Sequence, residues 1–359
     1  MPSRFLRLFK PFVRFLPEVK QPDREVSFKE KLFWTAIVLV IYLVMSVIPI
    51  FGVDTTQGQD PFFWLRVILA SNKGSLTELG IGPIVTAGLI MQLLQGSKLI
   101  NVDLTNPEDR ALFTGVQKFM AIALTIFQIF AYLLAGAFGQ SLDTGAIVVI
   151  FLQLLGSGII IILLDEIIQK GWGIGSGVSL FIAAGVAGQL LWNSFGFINA
   201  QGQPEYMHGA ILAFFQSIGN NDVGASFVRP GNLPTMTGVI LTAIIFFIVV
   251  YVETIRIEIP LQYSGYRGFV GKYPIKLMYV SNIPVILAQA LYANVLFFGQ
   301  MIAGPNSALR DPSNDVSTFI LNLIGSYDPT TANSNNFQFT GGLIYYLTPP
   351  RGLDQVAGD

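Results

Sequence analysis

The chain contains no cysteine and a single histidine, His208, in 359 residues. Without cysteine it forms no disulfide framework and no thiolate metal or redox centre. One histidine cannot build a histidine metal cluster. Charged residues make up only 12% of the chain and hydrophobic residues 52%, a composition outside the range of soluble globular proteins. The composition therefore predicts a polytopic membrane protein without a cofactor or a metal.

Asp, Glu, Lys and Arg are also missing from the middle of every predicted membrane crossing. Ion-coupled transporters and pumps place such residues at mid-membrane, at a cost of about 2.5 to 3.5 kcal/mol each on insertion scales, because their mechanism needs them. The absence argues against ion coupling. A secondary transporter or solute channel with broken helices stays open as the alternative, because discontinuous helices are common in transporters.

Two glycine-rich stretches lack the surroundings of a nucleotide site. Residues 171–177 lie between two membrane helices and not in a βαβ unit. Residues 265–272 resemble a phosphate-binding loop, but Tyr273 stands where the loop needs Ser or Thr. No enzymatic activity is expected.

Seven uncharged runs are candidates for crossing a bilayer, which requires about 20 apolar residues. They are residues 32–53, 79–97, 119–142, 145–164, 176–195, 231–252 and 277–302. The first run is not a signal peptide, because it is too long and no small-residue cleavage site follows it. Sixteen of the 21 lysines and arginines fall on the side of the N-terminus. This bias predicts that the N-terminus is cytoplasmic and that the residues after the seventh crossing are extracellular.

The crossings divide the chain into segments. Residues 1–31 form a cytoplasmic amphipathic segment, in which cations alternate with apolar residues. The other predicted segments are a bundle of five helices at 32–200, an external loop at 201–235, the sixth and seventh crossings at 236–303 with a cytoplasmic loop at 253–276, and an external loop at 304–359. The last loop carries a hairpin signal, with strands at 337–340 and 343–347 around Gly341 and Gly342.

A broken membrane element lies at residues 60–98 and dominates the pattern. Residues 61–70 give a helix of roughly 15 Å, about half the thickness of a hydrocarbon core. A helix that stops inside the membrane needs protein or a water-filled cavity around it to satisfy its backbone groups. The sequence therefore predicts an enclosed cavity with aliphatic walls.

Four stretches, in the same order along the chain, resemble archaeal members of the SecY family of protein-conducting channels. They are Leu79-Gly-Ile-Gly-Pro-Ile-Val-Thr-Ala-Gly, Gly173-Ile-Gly-Ser-Gly177, Ile257-Glu-Ile-Pro260 with Gly271-Lys-Tyr-Pro-Ile-Lys276, and Tyr279-Val-Ser-Asn-Ile-Pro-Val-Ile286. The resemblance implies an all-α polytopic fold of ten helices in two inverted pseudo-symmetric halves. This chain matches helices 1 to 7, a plug half-helix and an external β-hairpin. It stops in a loop, so a truncation before the last three helices is expected.

The resemblance implies the central subunit of a channel that passes secretory polypeptides across the membrane and releases membrane helices sideways into lipid. The pore is passive, and its parts are a plug, a hydrophobic ring and a lateral gate. The implied partners are SecE and beta subunits, the ribosome on the cytoplasmic face, signal sequences and nascent polypeptides, and the lipid bilayer, but not DNA. The implied location is the cell (plasma) membrane.

The resemblance also assigns residues to four sites. The plug contains Pro61, Phe62, Phe63, Trp64, Leu65, Val67 and Leu69. The pore ring contains Ile81, Val85, Val178, Ile182 and Ile286. The lateral gate contains Thr86, Gln92, Gln117, Asn282 and Pro284. The ribosome-binding residues are Arg256, Arg267, Lys272 and Lys276.

The residues by themselves leave structural alternatives open for these sites. Aliphatic pairs four residues apart share one helix face, as core and lipid contacts also do. The loop cations also serve to enforce topology, and Pro284 is also explained as an ordinary proline kink.

Overall fold

The computed structural model describes most of the chain. The described residues are 4–53, 66, 69–100, 102, 105–134, 138, 143–200, 203–220, 222–227, 229, 233–262, 270–277, 288, 291–292, 294–295, 298–299, 315–327 and 339–347. The chain divides into two compact units. Residues 1–186 and 284–359 form the first, and residues 187–283 form the second.

Helices account for most of the described residues. From the N-terminus they are α1 (Arg4–Val13), α2 (Phe28–Val47), α3 (Gly82–Gly96), α4 (Pro107–Leu134), α5 (Thr144–Ile167), α6 (Gly177–Phe195), α7 (Ala210–Gly219), α8 (Gly224–Phe227), α9 (Met236–Thr254), α10 (Asp315–Ile324) and α11 (Leu343–Leu347). A π-helical turn, Ile168–Trp172, follows α5. Gly171 closes this turn with a φ of 98°, a value that favours glycine.

Five helices in the described part of the chain are long and apolar enough to cross a membrane: α2, α4, α5 with its π-helical turn, α6 and α9. They confirm the predicted first, third, fourth, fifth and sixth crossings as helices of spanning length. The second crossing forms α3, whose 15 residues measure roughly 22 Å. The seventh, residues 277–302, lies largely outside the described residues.

Two of the crossings begin earlier in the chain than predicted, because their first turns are charged. Helix α2 begins with a capping box, in which the Glu30 N–H donates to the Ser27 hydroxyl and the Ser27 N–H donates to the Glu30 carboxylate. Helix α4 begins at Pro107, a favoured first position for proline, twelve residues before its uncharged run. These first turns extend the helices beyond the apolar runs that the sequence marks.

The main core of the first unit lies among α2, α3, α5 and α6. Its fully buried side chains include Tyr42, Ile81, Ile161 and Phe181. Helices α4 and α5 approach closely at Gly158, where a Cβ would lie 2.7 Å from Cγ2 of Thr125. The core therefore gathers the broken element and the start of α6.

The second unit contains two antiparallel hairpins. Strands β1 (Asn199–Ala200) and β2 (Gln203–Met207) precede α7. Strands β3 (Arg256–Gln262) and β4 (Val270–Lys276) follow α9. The second hairpin falls in the segment that we predicted as a charged loop. Its strands alternate apolar and polar residues with a period of two, a signal that the high charge obscures.

The region after the seventh crossing corrects one prediction. Strand β5 (Ser326–Tyr327) pairs antiparallel with β6 (Phe339–Gly341). The predicted external hairpin around Gly341 and Gly342 is wrong in its second strand, because residues 343–347 form the helix α11. In the apolar helix α11, Ile344 is buried and packs at Gly299, which a strand facing outward would not allow.

Candidate functional site

The predicted plug segment meets the start of α3 at a joint, defined here as the contacts among Arg66 and residues 69–81. The Ile81 N–H donates to the Leu69 carbonyl at 3.0 Å, and the Tyr42 hydroxyl donates to the Ala70 carbonyl. Gly80 adopts a φ of 53°, and a Cβ at this position would overlap the Leu69 carbonyl oxygen. The joint therefore requires glycine at position 80, and it fixes Leu69 and Ala70 against the start of α3.

A buried ion pair spans the same joint. The Arg66 guanidinium lies 2.7 Å from the Glu78 carboxylate, with exposed side-chain fractions of 12% and 3%. The Glu78 carboxylate also accepts the Gly74 N–H, and Arg66 donates to the Ser71 hydroxyl. A carboxylate this buried is stable because both a cation and a backbone donor satisfy it.

The end of α2 holds the joint in place through its backbone. The Ile50 N–H donates to the Gly74 carbonyl at 2.8 Å, and the Leu76 N–H donates to the Ile48 carbonyl at 3.0 Å. This short antiparallel pairing connects the first crossing to the loop between half-helix and α3. The loop is therefore tied at both ends.

Four of the five predicted ring residues occur in one apolar cluster. Ile81 and Val85 are buried in it, and Val178 and Ile182 are partly buried against it. Ile286 lies outside the described residues. The structure thus brings together aliphatic side chains from the beginnings of α3 and α6.

The cluster also contains the described end of the plug segment. Leu69 and Ala70 pack in it, beside Tyr42 and Phe181. The rings of Tyr42 and Phe181 stack with centroids 4.7 Å apart. The other predicted plug residues lie outside the described residues: Pro61, Phe62, Phe63, Trp64, Leu65 and Val67.

Asp165 fixes the position of α6. One carboxylate oxygen accepts the Val178 N–H at 3.2 Å, and the other accepts the Gln169 side-chain amide at 2.7 Å. The first contact caps the N-terminus of α6 from the last turn of α5. A Cβ on Gly177 would lie 2.8 Å from Cα of Asp165, so the approach requires glycine. Sequence analysis missed Asp165, because it lies at the charged end of an otherwise uncharged run.

Three polar side chains meet between α3, α4 and the region of the seventh crossing. Asn294 donates to the Thr86 hydroxyl at 2.9 Å, and Gln128 donates to the Asn294 carbonyl oxygen at 3.5 Å. The predicted gate included Thr86 but not Gln128 or Asn294. Gln128 and Asn294 each lie inside a long apolar run of the sequence. A polar residue isolated in this way is the sequence signal that could have identified them.

The other predicted gate residues take different positions. Gln117 lies beside α3, with its side-chain nitrogen 3.2 Å from where a Cβ on Gly88 would be. Gln92 is exposed. Asn282 and Pro284 lie outside the described residues.

The predicted ribosome-binding cations lie on the hairpin of β3 and β4. Arg256, Lys272 and Lys276 are exposed on it, whereas Arg267 lies outside the described residues. Lys272 pairs with Glu258 at 2.7 Å, and Lys276 approaches Glu253 at 3.6 Å. The hairpin therefore presents a mixed surface, in which carboxylates offset part of the positive charge.

His208 lies in the segment between α6 and α9, next to a buried arginine. The Arg229 guanidinium donates to the carbonyls of Met207, His208 and Pro234 at 2.8 to 2.9 Å. Burial lowers the pKa of Arg229, and burial together with the charge of Arg229 lowers the pKa of His208. His208 is therefore neutral at pH 7 and packs near Trp192, which agrees with a structural histidine. No group of three potential metal ligands occurs among the residues that the structure describes.

Comparison with known proteins gives a consistent family. A family model described as SecY matches residues 75–348, and a model described as the plug domain of Sec61p matches residues 40–74. The second match includes the whole predicted plug segment, residues 61–70.

Three solved structures are similar over 96% of this chain and 70% of their own. One is described as the structure of a protein conducting channel, with 40% identity and a TM-score of 0.72. Another is Sec61 in the canine ribosome-channel complex from the endoplasmic reticulum, with 40% identity and a TM-score of 0.71. A third is a structure in which the plug domain of the SecY protein stabilises the closed state and maintains a membrane seal, with 39% identity and a TM-score of 0.70.

Proposed function

The chain belongs to the SecY family of protein-conducting channels, and we propose that Ile81, Val85, Val178 and Ile182, together with Ile286, line the constriction of its pore. Membership of this family argues against the alternative of a secondary transporter or solute channel. The role of the family in translocation is not enzymatic. The observation that supports the ring is the single apolar cluster in which α3 and α6 meet the end of the plug segment.

An aliphatic constriction has the physical properties that a polypeptide channel needs. A narrow apolar passage dewets, which blocks ions without a charged gate. It also makes no demand on particular side chains, so polypeptides of any sequence are able to slide through. We propose that the plug residues, from Pro61 to Leu69, close this passage from one side, with the joint at Arg66 and Glu78 as their anchor.

We propose a lateral gate on the side where Thr86, Gln128 and Asn294 meet. Three polar groups that satisfy each other inside the membrane hold α3, α4 and the region of the seventh crossing together, and the contact breaks without loss of the apolar packing elsewhere. Opening there would release membrane helices sideways into lipid. Gln92, Gln117, Asn282 and Pro284 remain further gate candidates.

Ion leakage through the resting channel tests the ring. Replacing Val85 and Ile182 with Asn makes the constriction wettable, and we expect a higher ion conductance in planar bilayers. Leu154→Asn is the matched control, because Leu154 is fully buried in a different cluster. Unchanged conductance in the double variant, or an equal rise in the control, would remove the ring from these positions.

The remaining proposals concern partners and location. We propose SecE and beta subunits as further channel components, the cell membrane as the location, an archaeal origin, a cytoplasmic N-terminus and extracellular residues after the seventh crossing. The Lys and Arg bias between the two sides supports the orientation.

We propose the hairpin of β3 and β4 as a ribosome contact through Arg256, Arg267, Lys272 and Lys276. Three of these cations are exposed on the hairpin, and phosphate contacts by Lys and Arg depend strongly on salt. Reversing Arg256 and Lys272 to Glu should weaken ribosome binding and flatten its salt dependence in a sedimentation assay. Lys73→Glu, predicted on the opposite side of the membrane, is the control and should leave binding unchanged. Equal binding by all variants would leave topology as the only role of the hairpin cations.

A further inference from the structure

Helix α7, in the segment between α6 and α9, turns an apolar face away from the protein. Ile211, Phe215 and Ile218 follow the i, i+4, i+7 spacing of one helix face. Phe215 and Ile218 are 65% and 47% exposed, and none of the ten residues of α7 is charged. We propose that this apolar face lies in the boundary between headgroups and acyl chains, on the side of the membrane where α6 ends and α9 begins.

The opposite face of α7 packs on protein. Ala210, Ala213 and Ser217 are buried, and they follow the spacing of a second helix face. Gln216 accepts the Met207 N–H at 2.8 Å through its side-chain oxygen, which ties the last turn of α7 back to strand β2. These contacts fix the rotation of α7 about its own axis. The direction of the apolar face is therefore fixed as well.

The start of α7 lies directly on the end of α6. Gly209 precedes α7, and its N–H donates at 3.0 Å to the carbonyl of Gly196, the residue that follows α6. A Cβ on Gly209 would lie 2.5 Å from the Gly196 nitrogen, so this approach requires glycine. Helix α6 is long and apolar enough to cross a membrane. Helix α7 therefore begins at the level where α6 leaves the membrane.

The start of α9, another crossing, is held at the same level. The Arg229 guanidinium donates both to the His208 carbonyl, two residues before α7, and to the Pro234 carbonyl, two residues before α9. The Thr237 hydroxyl, in the first turn of α9, donates to the Phe227 carbonyl at the end of α8. Helix α7 also contacts α9 directly. The ends of two crossings therefore hold α7 across the membrane surface.

A tryptophan marks this level as a membrane interface. Trp192 lies in the last turn of α6, is 48% exposed, and has its ring 6.1 Å from the ring of His208. Tryptophan is enriched at the interfaces of a bilayer, where one end of its ring meets apolar groups and the other meets water. An apolar helix face at this level meets acyl chains below the headgroups.

The neighbouring surface favours lipid as the partner of the apolar face. Leu191 of α6 and Leu241 of α9 are 62% and 53% exposed on helices that cross the membrane. Because α7 adjoins both helices, its apolar face extends a surface that the bilayer already covers. The chain becomes polar where α7 ends, at the exposed residues Asn220 and Asp222. This change of character is expected where the chain passes from the boundary into water.

Spin labelling tests the depth of the apolar face, and the absence of native cysteine makes single labels unambiguous. Phe215→Cys is labelled in the intact chain, reconstituted in phosphatidylcholine vesicles. Two matched labels give the limits: Asn220→Cys for water, and Ile245→Cys, at an exposed position in the middle of α9, for the hydrocarbon core. We expect the ratio of collisions with oxygen to collisions with a water-soluble nickel complex at position 215 to lie between these limits.

Three results would overturn the proposal. A ratio at position 215 equal to that at position 220 would place the face in water. A ratio equal to that at position 245 would place it in the hydrocarbon core and not at the boundary. Shielding of position 215 from both reagents would show that a protein, such as a partner subunit or a second copy, covers the face.

Hydrogen exchange tests separately whether the apolar contact holds α7. Phe215→Gln and Phe215→Leu are compared with the unmodified chain in phosphatidylcholine nanodiscs. Glutamine and leucine have similar helix propensities, so a difference between the two variants reports the loss of apolar contact. We expect the amides of residues 210–219 to exchange about tenfold faster in the glutamine variant and close to the unmodified rate in the leucine variant. Equal rates in the two variants would overturn the acyl-chain contact.

Discussion

At the scale of single residues, Arg66 and Glu78 are charged although their side chains are largely buried, which is rare unless the charges are paired. Arg66 and Glu78 satisfy each other at 2.7 Å, and Glu78 accepts a backbone N–H as well. A buried ion pair adds little net stability over apolar residues, but removing one partner leaves an uncompensated charge. The pair therefore acts as a constraint on where the plug segment ends.

Glu78→Gln should destabilise the protein more than its small change in shape suggests. The amide still accepts the Gly74 N–H, but Arg66 remains charged and largely buried and loses the carboxylate that lies 2.7 Å from it. We expect a loss of about 3 kcal/mol in the free energy of unfolding, within the range for a broken buried pair. Thermal unfolding of the purified chain in detergent measures this loss.

A second substitution separates charge from packing at this pair. Arg66→Met in the Glu78→Gln background removes the uncompensated cation, so it should restore part of the lost stability. If the double variant is as unstable as the sum of the two single variants, the coupling between Arg66 and Glu78 is absent and the constraint lies elsewhere.

At the scale of elements, the last turn of α5 positions the first turn of α6. Asp165 caps α6 through the Val178 N–H, and Val178 and Ile182 are proposed ring residues. An N-cap holds the first turn of a helix, so it determines where the side chains of that turn point. We therefore expect Asp165 to position the proposed ring residues Val178 and Ile182 through α6.

Asp165→Ala should loosen the first turn of α6, while Asp165→Asn should preserve it, since the asparagine side-chain oxygen still accepts the Val178 N–H. We expect the alanine variant to lose about 1 to 2 kcal/mol of stability and to raise resting ion leakage. The asparagine variant should show leakage close to that of the unmodified chain. Equal leakage in the alanine variant and the unmodified chain would show that the cap does not position Val178.

The strap formed by residues 17–20 crosses the ends of α4 and α5, because Lys118, Lys170 and the Trp172 indole donate to its backbone carbonyls. It depends on Glu18 as well. The hydrogen bond and the charge of Lys170 hold the pKa of the Glu18 carboxyl below its usual value, against the opposing effect of partial burial. A lowered pKa in the folded state means that this contact is present at neutral pH and is lost only as the pH falls through the acid range. The contact between Glu18 and Lys170 is therefore intact at physiological pH.

The sequence predicted the helices better than their ends or the short strands. Uncharged runs located five spanning helices, because the bilayer demands about 20 apolar residues whatever the fold. The charged first turns of α2 and α4 were not in those runs, since charge at a helix start is compatible with both helix and loop. The hairpin of β3 and β4 was missed because the charges on one face of its alternating pattern are also typical of a loop.

The site was predictable only in part, because its polar contacts join residues far apart in the chain. Val85 and Ile182 were assigned from the family resemblance, and the structure places them in one cluster. The partners of Thr86 depend on how three helices meet, which no local pattern encodes. Gln128 and Asn294 therefore had to come from the structure.

At the scale of the whole molecule, the first unit combines the joint at the end of the plug segment with one apolar cluster. Its broken element ends in a joint tied by an ion pair and by backbone bonds to α2. Its apolar cluster joins that joint to α3 and α6. This arrangement fits the passive channel that we propose, with the end of the plug segment held beside the proposed ring by local contacts.

The most direct measurement is crosslinking of a stalled signal sequence to the proposed pore. A photoreactive residue is placed at Val85 or Ile182, and in a control at Leu152, which is 60% exposed on α5. A stalled secretory chain should form adducts at positions 85 and 182 and few at position 152. Adducts at position 152 with none at 85 and 182 would contradict a pore at the junction of α3 and α6.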